Sequence, residues 1–132
     1  MSELPQVPTT RLLGKSGIVV SSMAWGMWRF AGRTVSEARA LVEAALDSGI
    51  NLLDTADIYG FNGSSGFGDA EALLGQVFAE SPALRDRMVL ATKGGIIPPA
   101  PYDSSPAYLE SAIDASLKRL GVPRIDLYQI RR

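Results

Sequence analysis

The feature that most constrains this chain is an alternation. Short apolar strands and amphipathic helices succeed one another along its 132 residues, at intervals of roughly 30 to 35 residues, the length of one strand–helix unit. The helices are marked by their ends. Thr34-Val35-Ser36-Glu37 has the spacing of a capping box, Ala38, Leu41, Val42, Ala45 and Leu46 recur at helical intervals, and Gly49 stops the run. Leu73, Leu74, Val77 and Phe78 mark a second helix, which Pro82 helps to close. A third starts at Ser105 before Pro106, keeps Leu109, Ile113, Leu117 and Leu120 on one face and ends at Gly121. Around these helices, Val20 to Ala24, Ile50 to Thr55, Met88 to Lys93 and Ile125 to Ile130 read as core strands. Arg11 to Val20 reads as a hairpin turning at Gly14-Lys15-Ser16-Gly17.

Strands joined through helices pair in parallel, and right-handed crossovers build either an open doubly wound sheet or an eight-stranded barrel. The turn after the first strand decides against a nucleotide-binding open sheet. It is Trp25-Gly26-Met27-Trp28 and contains no GxGxxG, while the glycine-rich loop from Tyr59 to Asp69 lacks the Gly-Lys-Ser/Thr ending of a P-loop. Ile96 to Ser105 holds three prolines and must be loop as well. Four units amount to half a barrel.

Composition narrows the chemistry. With 46% apolar and 20% charged residues the chain suits one ordinary globular domain, residues 1–132. Thirteen basic against fourteen acidic residues leave no basic stripe for nucleic acid. Neither cysteine nor histidine is present, so disulfides, thiolate metal sites and imidazole triads are excluded, no metal is expected, and acid–base work falls to Asp, Glu, Lys or Tyr. The opening MSELPQVPTT is no secretory signal, and no apolar run approaches the roughly 18 residues of a membrane span. A cytoplasmic protein with a small-molecule partner is the expectation.

Gly26 and Trp28, Asp54 and Tyr59, Lys93, and Arg131 all fall at or just beyond the carboxyl ends of successive strands. In barrels that rim holds the active site. Singly each has a plain structural reading: Asp54 can cap a turn, Tyr59 can pack, Lys93 can be solvated. Jointly they suit one reaction. A tyrosine, whose ordinary pKa is about 10, donates a proton poorly at neutral pH unless a cation stabilises its phenolate. Lys93 can supply that cation, and Asp54 can hold the ammonium charged and aimed. Lys93 is therefore expected within salt-bridge reach of Asp54 and hydrogen-bonding reach of the Tyr59 hydroxyl. The set would protonate an oxygen as hydride reaches the adjacent carbon, which is carbonyl reduction.

The segments LGKSGIVVSSMAWGMWRF, GINLLDTADIYG, EALLGQVF, VLATKGG and SLKRLGVPRIDLYQI resemble the aldo-keto reductase superfamily, in the family's order and over nearly the whole chain. The resemblance implies a (β/α)8 barrel, of which this chain holds the first half behind an N-terminal β-hairpin. It implies NADPH as hydride source, Tyr59 as proton donor, Asp54 and Lys93 as its partners, and Gly26, Met27, Trp28 and Asp54 as the cofactor-facing residues. Arg131 stands where the family has histidine. Arginine donates hydrogen bonds to a carbonyl oxygen but accepts none; it can also lower the tyrosine pKa or bind an anionic substrate group.

A full barrel runs to about 250 residues, and much of the family's cofactor site lies in its later strands, so the chain alone is expected to bind NADPH weakly or not at all. Half a barrel also leaves two sheet edges unpaired and Val, Leu and Ile side chains facing water, so self-association or pairing with a C-terminal half is expected. Two alternatives to an active reductase follow. One is a non-catalytic half-barrel; the other is a regulatory reductase-like binding subunit, since the LGKSG…VS opening also resembles potassium-channel β subunits.

Overall fold

A computed structural model describes residues 9–98 and 102–131. Residues 1–8, which include the polar lead, and three residues of the proline-rich loop lie outside the described residues. β1 (Thr10–Leu12) and β2 (Val19–Ser21) form the expected hairpin, antiparallel, with Arg11 opposite Val20. Its turn is closed by Leu13 N–H donating to the Ile18 carbonyl (2.9 Å), and Gly14 and Gly17 take the positive φ values, 54° and 79°, that other residues avoid.

The strand expected at Val20 to Ala24 is split. Val19 to Ser21 belongs to the hairpin, and the first parallel strand, β3, is Ala24–Gly26. Asn51 marks the break. Its side-chain oxygen accepts from Ser21 N–H (2.6 Å), its own N–H donates to Ser21 Oγ (3.0 Å) and its amide donates to the Val19 carbonyl (3.1 Å). This clamp ties the hairpin to the start of the next strand and leaves β3 to begin afresh.

α1 (Val35–Asp47), β4 (Leu52–Asp54), α2 (Asp69–Glu80), the short α3 (Ala83–Asp86), β5 (Val89–Gly94), α4 (Pro106–Leu120) and β6 (Leu127–Ile130) follow. Helix starts were readable where a side chain caps them. Thr34 accepts from Glu37 N–H, and Ser105 accepts from Tyr108 N–H with Pro106 behind it. α3, one turn long, has no such cap and carries no start signal in the sequence. The parallel sheet runs β3-β4-β5-β6, with Gly26 beside Asp54, Asp54 beside Ala91 and Ala91 beside Leu127.

The strands alternate cleanly between faces. Leu53 and Leu90 point toward the helices and join Met27, Phe30, Val42, Leu74, Val77 and Leu120 in one buried cluster. The other face carries Ala24, Gly26, Asp54, Ala91, Lys93 and Gln129, and its large apolar side chains are Leu52, Val89 and Leu127, each half-buried. The inner face is therefore less apolar than expected, because its exit half is built of glycine, alanine and polar residues. The exposed Ile130 (57%) sits in register with Gly94 on the helix side instead.

Candidate active site

Asp54 ends β4, and its neighbour across the sheet is Ala91, so Lys93 lies two residues further along β5 on the same face. The lysine reaches back over that gap. Its Nζ donates to Asp54 Oδ1 at 2.7 Å and to the Thr55 carbonyl at 2.9 Å, in a residue only 8% exposed. A buried ammonium with two anionic or carbonyl acceptors is well compensated.

Tyr59 comes from the loop after β4. The loop is held at several points: Gly68 N–H donates to the Asp57 carbonyl, Ala70 N–H to the Tyr59 carbonyl (3.2 Å), and Asn62 Oδ1 accepts from the N–H groups of Ser64 and Ser65, each 3.0 Å. Gly60 and Gly66 pass so closely that a Cβ on Gly66 would overlap the Gly60 carbonyl. Held this way, the Tyr59 ring is close to two cations, Lys93 Nζ at 4.8 Å and the Arg131 guanidinium at 5.8 Å from its centroid.

One expected contact is different. Lys93 meets the ring of Tyr59 rather than bonding its hydroxyl, because Asp54 and the Thr55 carbonyl draw the ammonium back toward β4. The interaction is cation–π, and it still places positive charge beside the phenol. Arg131 is held through its backbone, whose N–H donates to the Gly94 carbonyl (2.7 Å). Tyr59, Arg131, Trp28, Ile58, Phe61 and Ile96 line a cavity of about 350 Å³ at this mouth.

The residues expected to face a cofactor are arranged unequally. Gly26 is exposed, with open space where a Cβ would stand, Trp28 is 69% exposed beside it, and Asp54 is half-buried. The Met27 side chain is in the core at 1% exposure; its N–H donates to the Asp54 carbonyl and its carbonyl accepts from Phe30 N–H. Gly26, Trp28 and Asp54 thus leave an open surface at the exits of β3 and β4, and the Met27 side chain packs in the core instead of facing it.

A second polar cluster, on the helix side of the sheet, was not read from the sequence. Glu71 of α2, fully buried, accepts from Thr92 Oγ1 at 2.7 Å and pairs with Arg119 of α4 at 2.8 Å. Asp57 lies nearby at 2% exposure; burial, reinforced by the Glu71 charge, pushes its carboxyl up to about 6. Burial likewise raises the Tyr128 hydroxyl to about 12, and that hydroxyl has no hydrogen-bond partner among the described residues. The spacing of Glu71, Leu74 and Phe78 on one helix face was the available signal.

Residues 22–132 match the aldo/keto reductase family, and the chain belongs to that family. It is 68% identical over 134 residues to 6-dehydroglucose reductase of Novosphingobium aromaticivorans, an alignment covering 100% of this chain and 44% of the relative. It is 35% identical over 125 residues to 6-dehydroglucose reductase of Agrobacterium fabrum, covering 86% of this chain and 40% of that one. An aldo-keto reductase of Bacillus halodurans, solved in its holo form, superposes with a TM-score of 0.75 at 34% identity, over 92% of this chain and 39% of the other. The chain thus spans less than half the length of the curated relatives it matches, and its sheet and helices correspond to the first half of the family's (β/α)8 barrel. Among the described residues no helix is long and apolar enough to cross a membrane.

Proposed function

We propose that this chain carries the proton-donating side of an NADPH-dependent reductase that converts an aldehyde or ketone to an alcohol. The observation that carries the reading is the buried Lys93 ammonium, fixed by Asp54 and set against the Tyr59 ring. When bound, NADPH supplies the hydride that forms the new C–H bond. The Tyr59 hydroxyl gives its proton to the carbonyl oxygen, and the nearby Lys93 and Arg131 cations stabilise the resulting phenolate. Arg131, at the mouth, donates hydrogen bonds to the same oxygen and holds the carbonyl in place. Asp54 keeps the lysine aimed, and Gly26, Trp28 and Asp54 would face the nicotinamide.

The relatives' names suggest the substrate class: a sugar bearing an extra carbonyl, such as 6-dehydroglucose. Consumption of NADPH with that sugar, followed by its absorbance and measured on this chain together with the second half of its barrel, tests the reading. Tyr59→Phe should lower the rate by about 10²- to 10⁴-fold, the usual contribution of a general acid. An unchanged rate would remove Tyr59 from the reaction.

A further inference from the structure

On the helix side of the sheet a cavity of about 420 Å³ opens between α4 and the loops that follow β4 and β5, and neither Asp54 nor Lys93 lines it. That volume is in the range of small-molecule sites. Phe61, Phe67 and Tyr108 supply aromatic walls, Ser111 a hydroxyl, and Asp57 and Arg119 the charges.

The two charges are not equivalent. Arg119 is committed to Glu71, with Nε and a terminal nitrogen both 2.8 Å from Glu71 Oε1, so the pair is internally neutral. Asp57 joins none of the ion pairs among the described residues. Its Oδ2 sits over Gly94, 3.0 Å from where a Cβ would stand, and the Tyr128 hydroxyl crowds the same point. The Asp57 carboxylate, almost fully removed from solvent, is bonded by the Ile58 N–H and feels Arg119 and Arg131 only at a distance, so it lacks a cation in contact. Small apolar α4 residues, Ala112 and Ala115, leave the room that a ligand's body would fill.

We propose that this cavity is a binding site for a small organic amine, its ammonium against Asp57 and its apolar body between Phe61, Phe67 and Tyr108. The site shares Phe61 with the cavity at the mouth but none of Asp54, Tyr59, Lys93 or Arg131, and Asp57 lies against Gly94 on the helix side of the sheet. The groups facing Asp57 are Glu71 from α2, Tyr108 and Arg119 from α4, Tyr128 from β6, and Arg131 beyond it. Since burial holds the carboxyl near 6, binding should tighten as pH rises from 5 to 7.

The test is titration of the isotope-labelled chain with benzylamine, read from the ring resonances of Tyr108, Phe61 and Phe67. Saturable shifts are expected, with benzyl alcohol and benzoate binding at least tenfold more weakly. Asp57→Asn should weaken benzylamine at least tenfold, and Ala115→Phe, which leaves every charge in place and fills the space, should abolish the shifts even if the first variant does not fold. Equal affinity for benzylamine and benzyl alcohol, no saturable shift, or binding that survives Ala115→Phe would overturn the proposal.

Discussion

Lys93 bridges to Asp54 across a register offset of two residues, its 2.7 Å contact made backward along the sheet because Ala91, not Lys93, is the aspartate's lateral neighbour. The ammonium thereby ends in a nearly dry position, the lysine side chain 10% exposed against 30% for the aspartate.

That asymmetry predicts unequal costs. Asp54→Asn strands a buried ammonium and should destabilise the fold by about 2 to 4 kcal/mol. Lys93→Met leaves a carboxylate with access to water and should cost no more than about 1 kcal/mol. Urea unfolding of the two variants decides it, and equal losses would contradict the reading.

Gly75, inside α2, meets α4 so tightly that a Cβ there would overlap the Arg119 carbonyl and lie 3.1 Å from the Leu120 carbonyl carbon. In an exposed helix Gly→Ala gains about 1 kcal/mol. Here Gly75→Ala should instead destabilise by about 2 kcal/mol or more, because backbone cannot step aside as a side chain can. A raised thermal midpoint would refute it.

Asp57 sets a pH dependence with a definite sign. Its carboxyl is raised from 3.8 to about 6 in the fold, so between those values the folded chain holds more protons than the unfolded one. Stability should therefore fall as pH rises from about 4 to about 6 and then level off, by on the order of 1 to 2 kcal/mol after allowing for solvent screening. Asp57→Asn should flatten that part of the curve, measured as urea midpoint against pH.

The outer edges of β3 and β6 have no strand partner among the described residues, and Ile130 and Trp28 stand exposed near them. Burial of apolar surface is worth about 25 cal/mol per Å², so a few hundred Å² give several kcal/mol toward pairing. The purified 132-residue chain should sediment as a dimer or larger species, and a soluble monomer at high concentration would show that the edges protect themselves.

What could be read from the residues was what periodicity governs. Capped helices, strand order and the Asp54–Lys93 pairing follow from alternation and from charges at strand exits. The boundary near Val20 did not, because β-branched residues suit a hairpin and a parallel strand alike, and the Asn51 clamp that separates them is a contact across 30 positions. Nor did the stance of Tyr59, which depends on how a glycine-rich loop closes. The Asp57, Glu71 and Arg119 cluster was hidden because each charge, taken alone, reads as surface.

Adjacent residues of β5 serve opposite faces: Thr92 holds Glu71 behind the sheet and Lys93 holds Asp54 in front. An insertion or deletion of one residue upstream in this strand would exchange the two, sending the lysine into the helix layer and the threonine to the mouth. The strand is therefore a frame in which length itself is under constraint.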